Sequence, residues 1–169
     1  MNKLQMKLCG DLVLREKCAP ITKITPEILN AMDEMIGMMR DQSGVGLAAP
    51  QVGMLQRFLV MMNPDTAQVF KMINPKIVSR SADTCTMEEG CLSVLGPDNL
   101  PAYANVTRPA SVVVEWTDEN GAPQEAEMSG LPARIVQHET DHLDGILFID
   151  YLTPVRREMV MRKVRKHKA

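Results

Sequence analysis

The sequence predicts an α+β fold, with antiparallel β-sheets packed around one central helix and a further helix at the C-terminal end. Three observations carry that prediction. An apolar stripe at helical spacing lies near the start, short β-rich runs with turn signals fill the middle, and a second helical segment ending in glycine precedes a basic terminal stretch.

Thr25 and Pro26 have the chemistry of an N-cap and a first helical residue. Ile28, Met32, Met35, Ile36 and Met39 then fall on one face of a helix that "DQSG" (41–44) ends. The small, glycine-rich "GVGLAAPQVG" (44–53) leads into the strand-like "RFLVMM" (57–62). "VFKMI" (69–73) and "KIVS" (76–79) are expected as two strands with Asn74-Pro75 as the bend between them. "SVVVEW" (111–116) and "PQEAEM" (123–128) flank "TDENGA", whose Asn120-Gly121 is a strong hairpin-turn signal. Ser129 is expected to cap a helix with Pro132 in its first turn, running from Arg134 through Leu143 and stopping at Gly145. "ILFI" (146–149) is expected as a last short strand. From about Pro154 a basic helix carries Arg156, Arg157, Arg162, Lys163, Arg165, Lys166 and Lys168 against a single acid, Glu158.

With 169 residues, the chain is expected to form one domain, 1–169, whose last segment, 154–169, is the basic helix. A hydrophobic share of 45% with 24% charged residues is that of a soluble globular protein, and a net charge of -2 points to no overall attraction to nucleic acid, leaving only local charge to matter. Apolar runs such as "FLVMM" fall far short of the roughly 18 residues needed to span a bilayer. The N-terminal stretch mixes charge with apolar residues too often for the apolar region of a signal peptide. Cys9, Cys18, Cys85 and Cys91 form no C-x-x-C pair and no disulfide framework. A reducing, cytosol-like compartment fits all of this. The 14 methionines against six aromatics have flexible core filling as their plain explanation.

The chemistry lies in "VQHETDHLDG" (136–145). His138 and His142 are four apart, so on a helix both imidazoles can reach one metal ion. Glu139 follows the first histidine, where H-E-x-x-H hydrolases hold the carboxylate that handles the protons of a metal-bound water. A third ligand must come from elsewhere. A metzincin would place a histidine where this chain has Phe148, and that pattern fails. A later glutamate is available only as Glu158, set among arginines and lysines, and His167 is two residues from the end. Upstream, "MEEGCLS" (87–93) offers the soft thiolate of Cys91. One cysteine and two histidines leave a fourth position open for water, the arrangement of a catalytic metal site.

Three segments, "GVGLAAPQ" (44–51), "EGCLS" (89–93) and "QHETDH" (137–142), together resemble the motifs of the peptide deformylases, type 1 and bacterial-like, in order and at similar spacing. The resemblance covers nearly the whole chain. It implies a metal-dependent hydrolase that removes the formyl group from the N-terminal formyl-methionine of nascent polypeptides and releases formate. It implies one divalent metal held by Cys91, His138 and His142, ferrous iron by preference, with Zn2+, Ni2+ or Co2+ able to occupy the site. Glu139 would move the proton, while the Gln51 amide and the Leu92 backbone N–H would stabilise charge on the formyl oxygen. Backbone around Val45, Gly46 and Gly90 would pair with the peptide as an added strand, and Val45, Met87, Leu131 and Ile135 match positions lining the methionine pocket. The basic C-terminal helix is linked in this family to docking at the ribosomal exit tunnel. The location implied is a bacterial cytoplasm or an organelle interior.

The chain departs from the family after "CLS". Leu95 stands at the usual proline position, no arginine appears before Arg108, and the loop 94–107 is longer than usual. Two rival functions are an H-E-x-x-H metallopeptidase and a non-catalytic homologue that binds formylated peptides or ribosomes. The first lacks its downstream ligand; the intact Glu139 and Gln51 argue against the second.

Overall fold

The structure, a computed structural model, describes residues 3–168. Helix α1 runs Pro26–Asp41 with Thr25 as its N-cap, the hydroxyl accepting from the Ile28 N–H at 3.4 Å. Its buried face is Ile28, Ala31, Met32, Met35 and Met39, and Ile36 packs at the margin of the same core. Strands β1 (Gly46–Ala48), β2 (Phe58–Met62), β3 (Val69–Arg80), β6 (Ser111–Thr117) and β7 (Pro123–Ser129) form an antiparallel sheet in the order β1-β2-β3-β6-β7. Strands β4 (Thr84–Glu89) and β5 (Ala104–Pro109) form a separate two-stranded antiparallel ribbon. Helix α2 (Gly130–Leu143) is the central element and α3 (Pro154–Lys168) the last. No helix is long and apolar enough to cross a membrane among the described residues.

The expected α+β architecture is therefore present, with three local corrections. The two segments expected on either side of Asn74-Pro75 are one strand, β3, whose register against β6 shifts between Ile73 and Lys76. Asn74 takes a positive φ of 51° there, and its side-chain amide bonds both the N–H and the C=O of Ile21 at 2.8 Å. The kink is thus a bulge stitched to the N-terminal segment, and the ladder continues past it. The run 146–149 is not a strand: Phe148–Tyr151 form a 3-10 turn. Asp150 closes that turn by accepting from the Leu147 N–H at 3.0 Å, and Leu147, Phe148 and Ile149 are buried by side chains with no partner strand. Ser129 stands at the cap position of α2, but its side chain makes no capping bond.

The hairpin at Asn120-Gly121 is where the sequence puts it. Gly121 takes φ 83°, and Asp118 Oδ1 accepts from the N–H groups of Asn120 and Ala122, each at 2.9 Å. Two cores follow from the layout. The larger lies between α1, the five-stranded sheet and α2; the smaller gathers Leu14, Cys91, Val94, Val106, Phe148, Val160 and Val164 and seats α3 through its two valines.

Helix α2 ends at a tight joint. Gly145 has φ 75°, and a Cβ there would stand 2.5 Å from the backbone oxygen of Arg15. Gly145→Ala is expected to destabilise the protein by more than about 1 kcal/mol, because both the left-handed backbone and the backbone contact oppose a side chain. A lowered urea midpoint with unchanged slope is the result that checks it.

Candidate active site

From Ala133 onward α2 is buried on nearly every side, Asp141 excepted, as a central helix should be. His138 and His142 project from it, and Cys91 reaches them from the segment just past β4. One ligand atom from each of Cys91, His138 and His142 lies within 4.8 Å of the others, and Cys91 Sγ is 3.3 Å from His142 Nε2. The structure brings the three expected ligands together. A thiol and two imidazoles, all buried, are a donor set suited to a divalent transition metal.

His138 is held by its other nitrogen. Nδ1–H donates to Glu89 Oε1 at 2.8 Å, which leaves Nε2 for the shared site and is the usual second bond of a ligating histidine. Glu89 is in turn fixed by two arginines. Arg108 Nε and Nη2 donate to its two oxygens at 2.7 and 3.0 Å, and Arg134 Nη1 donates at 2.6 Å. Burial opposes ionisation of Glu89, but the bonds from His138 and Arg108 prevail and hold its carboxyl well below the usual range. Arg108 also donates to Asp141 Oδ2 at 2.7 Å, and Arg134 donates to the carbonyls of Val106 and Cys85. Phe148, which occupies the metzincin histidine position, has its ring stacked on His138 at 6.0 Å.

Glu139 is buried and its Oε2 has no hydrogen-bond partner among the described residues. Burial pushes its carboxyl up to about 7, with nearby His138 acting against the rise. Gly46 lies against it: a Cβ at that position would come 2.5 Å from Glu139 Oε1. Gln51 sits in a 3-10 turn, Ala49–Val52, with its carbonyl oxygen accepting from the Ala48 N–H at 2.8 Å. Its Nε2 is thereby turned toward Ser93 Oγ, at 3.1 Å, and Cys91 Sγ, at 3.5 Å.

A cleft of about 460 Å³ opens on these groups. Val45, Gly46, Gln51, Gly90, Cys91, Leu92, Leu131, Ile135, His138 and Glu139 all line it. Met87, expected in the methionine pocket, is half-buried on β4 opposite Val106 and does not line the cleft. His142 lies behind the wall, 1% exposed.

The sequence profile of the polypeptide deformylases matches residues 4–158. The chain belongs to the polypeptide deformylase family. It is 43% identical over 159 residues to a peptide deformylase of Rhizobium meliloti (strain 1021), covering 92% of this chain and 88% of that one. It is 41% identical over 170 residues to that of Hydrogenovibrio crunogenus, covering 100% and 97%. The fold is similar to the crystal structure of a peptide deformylase from Legionella pneumophila, with TM-score 0.89 and 37% identity over 98% of this chain and 95% of that one. Deformylases are metal-dependent, which agrees with the Cys/His/His cluster.

Sequence reasoning passed over Glu89, Arg108 and Arg134. The available signal was that Glu89 opens the same "EGCLS" segment as Cys91 and that Arg108 is the first arginine after it. Glu89→Gln is expected to cost about 3–5 kcal/mol by removing the carboxylate charge that pairs two buried guanidinium groups, although Arg108 keeps Asp141 and Arg134 keeps the Val106 and Cys85 carbonyls. The same change should weaken metal affinity about 10–100-fold by replacing the charged acceptor that orients His138 with a neutral one. Urea unfolding measures the first effect and a cobalt titration against a chelator the second.

Proposed function

We propose that Cys91, His138 and His142 hold one divalent metal, and that Glu139, Gln51 and the Leu92 N–H work beside it. The chain then removes the formyl group from N-terminal formyl-methionine of new polypeptides and releases formate. One observation carries this proposal: three donors converge next to a buried, unpartnered Glu139 carboxylate at the floor of a cleft.

The bound metal would supply Lewis acidity to the formyl oxygen and to an attacking water. Glu139 takes the proton of that water and hands it to the departing amine, and a carboxyl poised near 7 by burial suits transfer in both directions at neutral pH. Gln51 Nε2, aimed at the ligand cluster by the bond on its own oxygen, donates to the charge that develops on the formyl oxygen. The Leu92 N–H, between Cys91 and Ser93, is the second donor. The methionine side chain lies against Val45, Leu131 and Ile135. The peptide backbone pairs with Val45, Gly46 and Gly90 as an added strand, which gives affinity for varied sequences.

The whole chain, 1–169, acts as a single catalytic domain. Ferrous iron is the native metal by family resemblance; the donor set also suits zinc, nickel or cobalt. The working location is a bacterial cytoplasm or an organelle interior. Helix α3 exposes Arg156, Arg157, Arg162, Lys163, Arg165 and Lys166 to solvent, with Glu158 paired to Arg162 and Arg165, while Val160 and Val164 are buried, and this cationic surface is suited to ribosomal phosphates.

Formate release from formyl-Met-Ala-Ser by protein purified without oxygen and loaded with Fe2+ or Ni2+ tests the function. Wild type should turn over, and Glu139→Ala should fall by about 10²–10⁴-fold. No release from folded, metal-loaded protein would bring the binding-protein alternative forward. For the basic helix, glutamine at Arg156, Arg162, Arg165 and Lys166 together should weaken ribosome binding about tenfold while formyl-Met-Ala-Ser turnover holds. Substitution is a cleaner test than deletion, because Val160 and Val164 belong to the smaller core. Unchanged sedimentation with ribosomes would remove the docking role.

A further inference from the structure

The β4–β5 ribbon has two faces of opposite character. Toward α2 it turns Glu89, Val106 and Arg108, all buried. The other face carries Thr86, Glu88 and Gly90 on β4 and just beyond it, and Tyr103, Asn105 and Thr107 on or beside β5. The register pairs Thr86 with Thr107 and Glu88 with Asn105, and the two threonine hydroxyls bond at 2.7 Å. Glu88 is the one charged residue on that face, and among the described residues it has no hydrogen-bond or ion-pair partner.

This face forms a lip of the catalytic cleft. Glu88, Gly90, Leu100, Pro101 and Tyr103 all line it, with Tyr103 52% and Leu100 64% exposed. The Tyr103 ring lies over Gly90 so closely that a Cβ there would run into it. The ring is thus seated beside the strand that the peptide is proposed to join, two residues along from Glu88. The remaining charged groups of the lining, Glu89, Arg134, His138 and Glu139, are buried, and the first three are bonded to one another. At the exposed lip an arriving peptide therefore meets one free carboxylate, Glu88, one exposed aromatic ring and no free cation, while the unpartnered Glu139 lies buried below.

We propose that Glu88 and Tyr103 form a subsite for a lysine or arginine side chain in the two residues that follow the formyl-methionine. The proposal rests on the deformylase function argued above. A carboxylate attracts the cation while the ring receives the same charge over its face and the aliphatic stem against Leu100. Both interactions are solvent-exposed, so the preference is modest and salt-sensitive.

The test is kcat/KM for formyl-Met-Ala-Ser, formyl-Met-Ala-Lys, formyl-Met-Lys-Ser and formyl-Met-Ala-Glu with the metal-loaded enzyme at low and high salt. At least one lysine peptide should exceed the serine peptide about fivefold at low salt, and the glutamate peptide should fall below it. E88Q should bring the lysine-to-serine ratio close to one, and Y103A should lower it in part. Equal rates for all four peptides, or a lysine preference that survives E88Q, would overturn the subsite while leaving the deformylase function intact. Failure to turn over any of the four would overturn the deformylase function itself, and the subsite with it.

Discussion

Glu89 accepts bonds from Arg108, Arg134 and His138 at once, and the geometry of the site hangs on that convergence. The β4–β5 ribbon is a separate sheet from the five-stranded one, and a lone two-stranded ribbon is marginal in water. Something must fix its position against α2. The smaller core contributes, but apolar contact is not directional. The Glu89 network is directional: Arg134 comes from α2, Arg108 from β5 and the carboxylate from β4, so each element is bound to the other two. Burying such charges adds little net stability in general, but a register slip would leave them unpaired, and breaking a buried pair is strongly destabilising. Cys91 lies two residues past Glu89, so the network that sets the ribbon also sets the third ligand.

A second constraint is space. Gly46 stands where any side chain would collide with Glu139, and a Cβ at Gly44 would come 2.9 Å from the Leu92 side-chain tip. Ala48 and Ala49 between them and Gln51 are fully buried. The small-residue run therefore does two jobs with one feature. It lets β1 and the following turn come flush against α2, and it leaves backbone, not side chains, facing the cleft. The backbone pairing proposed for this surface would accept many sequences, which is what an enzyme acting on the N-termini of many different chains requires.

What was legible in the sequence divides along physical lines. His138, Glu139 and His142 could be read because their relation is set by helical periodicity within five residues. Cys91 could be read by ligand chemistry once the downstream candidates failed. Glu89, Arg108 and Arg134 were harder to read, because their partners are separated by 19 to 49 residues and the only signal, the place of Glu89 in "EGCLS" and of Arg108 as the next arginine, does not mark them as buried. The same network hid the ribbon. Strands usually announce themselves by apolar alternation, but β4 and β5 place Glu89 and Arg108 at inward positions, so their buried face is not apolar. The run 146–149 erred in the opposite sense. Its apolar content correctly signalled burial, yet Asp150 accepts from the Leu147 N–H and closes the backbone into a 3-10 turn, which takes it out of the extended conformation that strand pairing needs.

Glu139 is the residue at which stability and function part company. A buried carboxylate oxygen without a partner is costly, and the fold could have supplied one, since Arg108 and Arg134 both serve Glu89 close by. Instead both arginines are spent on the carboxylate that orients His138, and Glu139 is left to burial alone. The two glutamates consequently diverge: Glu89 is held firmly ionised, while Glu139 is raised to about 7. An ionised, bonded carboxylate can orient a ligand but cannot exchange a proton near neutral pH; an unpartnered one near 7 can do so. The roles proposed for them follow from which of them received the arginines.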